Sequence, residues 1–102
     1  ASWDVPALTL ERRRRAYSPW PGLFTHWEGK VLKLLDVVTL PYTAGPQAGP
    51  GQVVALPSQN APVAVGTGEG LLGLKTVQLE GRRVVSAGDF LRGFPKFLGA
   101  QL

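Results

Sequence analysis

Four consecutive arginines, Arg12 to Arg15, are the side chains of this sequence with the plainest chemistry. A guanidinium group keeps its charge and binds phosphate oxygens through several donors at once, so a run of arginines favours contact with a polyanion. A second basic group lies far along the chain, at Arg82, Arg83 and Arg92. The structural alternative is that the long stems of the arginines cover apolar surface while their charged heads stay in water. Composition leaves both interpretations open.

Aromatic residues follow the arginine run at Trp20, Phe24 and Trp27. A surface that binds single-stranded RNA combines basic with aromatic side chains, since the bases stack on the rings. Aromatic residues of small domains more often belong to the core, however. Residues 19–22 are Pro-Trp-Pro-Gly, and the two prolines fix the backbone on either side of Trp20. We therefore expect a rigid elbow that seats Trp20 in the core and aims the arginines.

The other reactive side chains do not form a catalytic constellation. His26 is the only histidine and cysteine is absent, which excludes disulfides and thiolate metal sites, and a single histidine cannot make a zinc site. No nucleophile motif accompanies His26, which we expect to be a surface or packing residue. The seven carboxylates are scattered, and no spacing marks an acid and base pair. We therefore predict no catalytic residue and no metal ligand in this chain.

The glycine-rich segment 66–70, Gly-Thr-Gly-Glu-Gly, invites comparison with a phosphate-binding loop. It lacks the Lys-Ser or Lys-Thr ending of a P-loop, and no helical pattern follows it. It is therefore predicted to be a flexible hairpin between two strands.

The 102 residues fit one small domain, and 44% hydrophobic residues suffice for a modest core. The net charge of +4 and the isoelectric point near 10.0 favour an anionic partner. No apolar run approaches the roughly 20 residues that span a bilayer, and the basic run is not followed by the apolar stretch of a signal peptide. The absence of methionine and the start at Ala1 lead us to expect a domain cut from a longer chain.

A helix is predicted over residues 6–17. Asp4 is a suitable N-cap, and Pro6 suits the first turn, where its missing N–H costs nothing. Pro19 ends this helix at or before Ser18, because a proline pushes the preceding residue out of the helical region.

Five strands are predicted after the helix, each bounded by glycine, proline or asparagine as in a small antiparallel barrel. They cover residues 31–40, 52–56, 62–65, 71–79 and 82–85. Glu80 and Gly81 are expected to form the tight turn that joins the last two strands.

A short helix is predicted after the strands, with Ser86 as its N-cap and Asp89 completing a variant of the capping box. The apolar side chains that would pack it onto the barrel are Phe90, Leu91, Phe94 and Phe97. The predicted fold class is thus mainly β, a small antiparallel barrel with an N-terminal helix and a short C-terminal helix. It forms one domain, with a leading helix and elbow at 1–22, the barrel at 28–85 and the helix and tail at 86–102.

Several segments resemble one protein family, in the same order along the chain. Residues 15–22 are Arg-Ala-Tyr-Ser-Pro-Trp-Pro-Gly, and the other matching segments are 29–33, 49–53, 74–81 and 86–93. Together they resemble the carboxy-terminal domain of the methionyl-tRNA formyltransferases, whose pattern runs Arg-Ala-Phe-Asn-Pro-Trp-Pro-Gly. Tyr17 and Ser18 replace the commoner Phe and Asn of that pattern, and the arginine run is more basic than the pattern demands.

The resemblance implies an OB-like β-barrel without an active site. In that family an amino-terminal Rossmann-like domain binds 10-formyltetrahydrofolate and carries the catalytic Asn, His and Asp, which have no counterpart here. This chain would then be a non-catalytic fragment of an enzyme, with no cofactor of its own. Its expected partners are initiator Met-tRNA and the N-terminal formyltransferase domain, in the cytoplasm and without a membrane.

The basic side chains are the candidate tRNA contacts. The predicted set comprises Arg12, Arg13, Arg15, Lys30, Lys33, Arg82 and Arg83. Two alternatives remain open. The chain could be the structural C-terminal domain of another formyltransferase, of the formyltetrahydrofolate dehydrogenase or the aminoarabinose-nucleotide type, that binds no tRNA. It could also be a free-standing OB module that stacks single-stranded nucleic acid on Trp20 or Trp27.

Overall fold

A computed structural model describes residues 3, 5–7, 9, 11, 23–41, 48–56 and 61–102. Within them, six strands form one antiparallel sheet, followed by a helix and a single 3-10 turn. The elements are β1 (Phe24–Trp27), β2 (Lys30–Leu40), β3 (Val53–Ala55), β4 (Val63–Gly66), β5 (Leu71–Leu79), β6 (Val85–Ser86), α1 (Ala87–Gly93) and the 3-10 helix (Pro95–Phe97). The neighbour order is β1-β2-β5-β4-β3, and β6 pairs with β5. The predicted mainly β, antiparallel class is confirmed.

The strand β2 contains an irregularity that changes which of its residues face the core. Leu32 and Leu34 are fully buried, and the next buried residue is Val37, three positions further on. In a regular strand, residues an odd number apart lie on opposite faces. The register against β5 shifts between Leu34 and Asp36 and again between Asp36 and Val37. This bulge returns Val37 to the core side and explains why the sequence of β2 alternates only in part.

An aromatic cluster forms one end of the core. The indole of Trp27 lies between 5.2 and 5.7 Å from the rings of Phe90, Phe94 and Phe97, edge to face in each case. Such pairs contribute roughly 0.5–1.5 kcal/mol each beyond the apolar area that they bury. The cluster fastens α1 and the 3-10 helix onto the sheet, as predicted for Phe90, Phe94 and Phe97.

The C-terminal segment connects the two edges of the sheet. Within the described residues, β1 and β3 are the end strands and do not pair with each other. The outer edge of β3 instead bonds to the tail, where the N–H of Val53 donates to Ala100 and the N–H of Gly99 donates to Val53, both at 2.9 Å. Because Phe97 packs on Trp27 of β1, the same segment reaches the opposite edge. The sheet is thus barrel-like although its end strands are not hydrogen-bonded together.

Four of the five predicted strands are confirmed within a residue or two, as β2, β3, β4 and β5. The fifth was wrong in its bounds, since residues 82–84 are not extended into a strand and β6 holds only Val85–Ser86. The predicted turn at Glu80 and Gly81 explains this difference. In this turn the N–H of Arg82 donates to the carbonyl oxygen of Leu79 at 2.9 Å, and Gly81 has a φ of 80°. The backbone of Arg82 therefore closes the turn instead of joining the ladder.

The strand β1 was not predicted. It pairs with β2 through a two-residue turn in which Glu28 and Gly29 have φ values of 55° and 76°. Positive φ at both turn positions matches the twist of a tight hairpin. Glutamate is an uncommon residue in that position, so residues 28–29 carry no strong turn signal.

Two further predictions concern the connection between β4 and β5 and the start of α1. The glycine-rich segment joins β4 to β5 as predicted, and the buried hydroxyl of Thr67 holds it, 2.7 Å from the carbonyl oxygen of Gly70. Ser86 caps α1 as predicted, accepting a hydrogen bond from the N–H of Asp89 at 3.1 Å.

The N-terminal segment runs beside the loop between β4 and β5. The N–H of Ala7 donates to Glu69 at 2.9 Å, and Trp3 is buried in the main core. Ala7, Thr9 and Glu11 are helical, in agreement with the predicted N-terminal helix at those positions. The predicted start at Pro6 was wrong, because Pro6 is not helical and instead forms a β-bridge with Glu69. Asp4, residues 8, 10 and 12–17 of the predicted helix and the turn at 19–22 lie outside the described residues.

Candidate nucleic-acid interface

Three side chains form a row across the outer face of β1, β2 and β5. Phe24 pairs with Lys33, and Lys33 pairs with Gln78 on its other side. The residues before and after each of them are buried, so these three side chains point away from the core. Directly paired residues of antiparallel strands have Cβ atoms roughly 4.5–5.5 Å apart. We call this set, Phe24, Lys33 and Gln78, the outer row.

Arg82 adjoins the outer row and is held at both ends. The side-chain amide of Gln78 donates to the carbonyl oxygen of Arg82 at 3.0 Å. The guanidinium of Arg82 lies over the ring of Phe94, with Cζ 5.0 Å from the ring centroid. Arg82 is nevertheless exposed. A cation is therefore presented at a set position beside the outer row, and the neighbouring Arg83 is exposed as well.

Lys30 does not join the outer row. It pairs with the buried Trp27 at the hairpin end of β2, three residues before Lys33. The bulge of β2 lies beyond Lys33, so the odd spacing puts the two lysines on opposite faces of the strand. The structure thus brings Lys33 near Arg82 and directs Lys30 elsewhere. The predicted contacts Arg12, Arg13 and Arg15 lie outside the described residues.

Ion pairing separates the predicted cations from the others. Lys75 pairs with Asp36 at 3.9 Å, Lys96 pairs with Glu28 at 3.7 Å, and Arg92 pairs with Asp89. Lys75, Lys96 and Arg92 are not among the predicted tRNA contacts. Within the part of the chain that the structure describes, the predicted cations Lys30, Lys33, Arg82 and Arg83 form no ion pair. These four can contact a phosphate without first losing a carboxylate partner.

The charge of the chain is unevenly distributed. Eleven cationic side chains and seven carboxylates give the net charge of +4. The four arginines at 12–15 equal this whole excess, and the seven cations elsewhere balance the seven carboxylates. Long-range attraction for an anion therefore comes from that run, while the described cations act over short range.

Two neighbouring residues were not predicted as part of this surface. Gln78 could be found only from the pairing of β2 with β5, which places it opposite Lys33. Glu80 lies at the same edge, where its Oε1 accepts a hydrogen bond from the N–H of Val31 at 2.9 Å. A carboxylate so engaged repels an approaching phosphate less than a free one, because part of its charge is met by the donor.

Trp27 does not serve as a stacking surface. Its side chain is only 7% exposed and is enclosed by the three phenylalanine rings of the aromatic cluster. The alternative in which bases stack on Trp27 was therefore wrong, because core packing already uses that ring. Among the described phenylalanine, tyrosine and tryptophan side chains of the outer face, Phe24 is left open, at 44% exposure. Trp20 lies outside the described residues.

No reactive arrangement accompanies these cations. His26 is exposed on β1 and contacts the ring of Phe24 edge to face, with centroids 5.9 Å apart. Across the described residues, no three or more histidine, cysteine or acidic side chains cluster as metal ligands would. No helix in the same part of the chain has the length and apolar character needed to cross a membrane.

The described residues define a small, mainly β domain whose surface carries exposed cations that form no ion pair among those residues. The chain belongs to the formyl transferase C-terminal domain family, whose model matches residues 2–95.

Curated relatives agree with this family. The chain is 41% identical over 99% of its length to the methionyl-tRNA formyltransferase of Dehalococcoides mccartyi, and covers 31% of that protein. It is 38% identical over its whole length to the methionyl-tRNA formyltransferase of Treponema pallidum, again covering 31%. The same enzyme of Myxococcus xanthus is 45% identical over 94% of the chain, which covers 29% of it. The chain thus spans less than a third of each of these relatives.

Proposed function

We propose that this chain is the non-catalytic tRNA-binding domain of a methionyl-tRNA formyltransferase. It would hold initiator Met-tRNA while a separate catalytic domain, which binds 10-formyltetrahydrofolate, formylates the amino group in the cytoplasm. The proposal that the bound RNA is a tRNA is supported by the relatives, which are named methionyl-tRNA formyltransferase.

The observation that carries the proposal is the contrast between paired and unpaired cations. Each described cation outside the predicted set has a carboxylate partner, and each one inside it has none. Exposed ion pairs are weak, worth roughly 0–1 kcal/mol, so pairing alone decides little about stability. For binding it matters more, because an unpaired cation gives a phosphate its full attraction.

The proposed mechanism is sequence-independent attraction followed by positioning. The arginines at 12–15 supply the net charge that draws the RNA in, and Lys33 and Arg83 contact phosphates beside Arg82, whose position is fixed. Contacts to phosphates fix register and orientation but do not read bases. The domain would therefore present the acceptor end to the catalytic domain without choosing the tRNA by itself.

The test compares two double variants with the same change of charge. Arg12→Gln with Arg13→Gln removes two predicted contacts, and Lys75→Gln with Lys96→Gln removes two paired cations. Binding of an initiator tRNA transcript is measured by fluorescence anisotropy at one low salt concentration. We expect the arginine variant to bind at least about tenfold more weakly than the lysine variant, since contacts are lost in addition to charge. Equal weakening would show that only bulk charge matters and would contradict the proposed contacts.

A structural role without RNA is the second candidate, and the charge balance outside the arginine run favours it. Under this alternative the chain is the C-terminal domain of another formyltransferase and braces its catalytic partner. The unsubstituted chain would then bind initiator tRNA no better than an uncharged control protein does. The anisotropy titration distinguishes the two candidates directly.

A further inference from the structure

A cleft of about 200 Å³ opens between the turn that follows β5 and the helix α1. Its apolar walls come from Leu79, Val85 and Phe90, and Phe94 stands at its side. Arg82 and Arg83 line the same cleft. Pockets for drug-sized ligands measure roughly 300–1,000 Å³. This cleft is smaller and therefore admits a single flat ring system with one charged group beside it.

The two arginines of the cleft differ in how they are held. Arg82 has its N–H bonded to Leu79, its carbonyl bonded to Gln78 and its guanidinium stacked on Phe94. Arg83 is exposed and has no ion pair within the described residues. Arg82 is thus a fixed, planar wall, whereas Arg83 is a cation free to meet a ligand.

The remaining charge in the cleft does not oppose an anion. Asp89 lines it too, but its carboxylate is already paired with Arg92 and sits at the start of α1. Apolar walls, a guanidinium plane and an unpaired cation are together the features that receive an unstacked base and its phosphate.

We propose that this cleft binds one unpaired nucleotide of an RNA, with the base against Arg82 and Phe94 and the phosphate on Arg83. The inference rests on the proposed function, because it specifies which part of a tRNA this surface holds. It also gives different roles to Arg82 and Arg83, which were predicted from the sequence as equivalent tRNA contacts. Arg82 contributes a stacking plane, and Arg83 contributes a phosphate contact.

Blocking the cleft is the first test. Gly93 lines it, and a Cβ added there meets no atom within 4 Å, so Gly93→Gln adds a neutral side chain at the lining of the cleft from a Cβ position that has room. Gly49→Gln is the matched control, since a Cβ at Gly49 also meets nothing within 4 Å and Gly49 lines no part of the cleft. The amide NMR spectrum of each variant checks that the fold is kept.

The probes are an initiator tRNA transcript and a blunt RNA duplex with no unpaired nucleotide. We expect Gly93→Gln to weaken tRNA binding by at least about fivefold, the lower end of what one lost base stack costs. The affinity of Gly93→Gln for the duplex, and the salt dependence of that affinity, should equal those of the unsubstituted chain. Gly49→Gln should change neither. Equal tRNA affinity of the two variants would overturn the inference.

A second pair of variants separates stacking from charge. Arg82→Lys keeps the charge but loses the plane on which a base stacks, whereas Arg83→Lys keeps a phosphate contact. We expect Arg82→Lys to weaken tRNA binding several-fold with the salt slope unchanged, and Arg83→Lys to alter it less than about twofold. Equal effects of the two lysine variants would count against a stacked base.

The results distinguish this inference from the proposed function. If the unsubstituted chain binds tRNA with a steep salt dependence and Gly93→Gln binds equally well, only the cleft assignment fails. If the unsubstituted chain does not bind tRNA at all, the proposed function fails and the inference fails with it.

Discussion

The guanidinium of Arg82 lies over the ring of Phe94, 5.0 Å from Cζ to the ring centroid, and so joins the turn after β5 to the end of α1. Phe94 in turn packs edge to face on Trp27 at 5.5 Å. One chain of contacts therefore runs from a core tryptophan to an exposed cation. The core sets the position of Arg82, and this position is what makes the cation usable as part of a binding surface.

Removal of the Trp27 side chain should destabilise the fold far more than removal of Phe24. Trp27 is 7% exposed and contacts three phenylalanine rings, while Phe24 is 44% exposed on the outer face. We expect Trp27→Ala to lower the free energy of unfolding by about 3–5 kcal/mol, the range for large aromatic residues in a core. Phe24→Ala should cost less than about 1 kcal/mol. Urea unfolding followed by circular dichroism measures both, and equal losses would contradict the assignment of Trp27 to the core.

An added methyl group at Gly66 should be poorly tolerated because the loop segment at Ala48 and Gly49 approaches its backbone. A Cβ there would overlap the carbonyl oxygen of Gly49 and lie 2.8 Å from that of Ala48. Both obstacles are backbone atoms, which cannot move aside as a side chain can. Gly66→Ala should therefore cost about 2 kcal/mol or more, within the upper range for overpacking.

The control for this prediction is Gly49→Ala, since its Cβ would meet nothing within 4 Å. Its free energy of unfolding should stay within about 0.5 kcal/mol of the unsubstituted chain. A Gly66→Ala variant as stable as Gly49→Ala would mean that the two segments do not pack as closely as the structure has them.

Much of the sheet follows from residue patterns, and the exceptions have local causes. The apolar runs of β2 and β5, bounded by turn residues, predicted these strands although burial alternates only in part along β2 and the first four residues of β5 are all buried. The prediction of a strand over residues 82–84 is wrong because no pattern reveals that the N–H of Arg82 closes a turn and that its carbonyl oxygen accepts from Gln78. The hairpin before β2 escaped prediction because Glu28 adopts a positive φ that glutamate seldom takes.

The candidate site was predictable only as a set of residue types. Unpaired and paired cations have the same letters in a sequence, so the difference between Lys33 and Lys75 depends on where Asp36 lies. Lys30 and Lys33 lie on opposite faces of β2 because they are three residues apart, which can be recognised once the hairpin is known. Phe94 was expected to pack α1, and its second role beneath Arg82 depends on a turn that brings the two elements together.

The pairing of Asp89 with Arg92 should make part of the stability depend on acid pH. The hydrogen bond from Arg92, together with its charge and a hydrogen bond from Ser86, lowers the pKa of the Asp89 carboxyl below its ordinary value. Because the folded-state pKa is the lower one, this contribution is present above the unfolded pKa and is lost as the pH falls through the folded pKa. Asp89→Asn should thus flatten the dependence of stability on pH below about pH 4.

Urea unfolding between pH 2.5 and 7 measures this effect, with Arg92→Gln as the matched variant because it removes the cause of the shift. Asp89→Asn should flatten the profile fully and Arg92→Gln should flatten it in large part, since the hydrogen bond from Ser86 remains. The effect should be small because both side chains are exposed. A profile for Asp89→Asn that stays parallel to that of the unsubstituted chain would contradict the assignment.

Single lysines of the two pairing classes should differ in their effect on RNA binding. Lys33→Gln removes an unpaired cation of the outer row, and Lys75→Gln removes one that is paired with Asp36. We expect Lys33→Gln to reduce the slope of log affinity against log salt concentration by about 1, as the loss of one phosphate contact does. Lys75→Gln should leave the slope unchanged. A larger effect for Lys75→Gln would show that pairing does not identify the contacts.

The most direct test of the central claim is the affinity of the unsubstituted chain for initiator tRNA as a function of salt. If about six or seven cations contact phosphates, raising the salt from 50 to 200 mM should weaken binding by roughly a thousandfold or more. That steep linear fall of log affinity against log salt is the result we predict. An affinity that stays flat across the same range would contradict the claim that this domain holds tRNA through its phosphates.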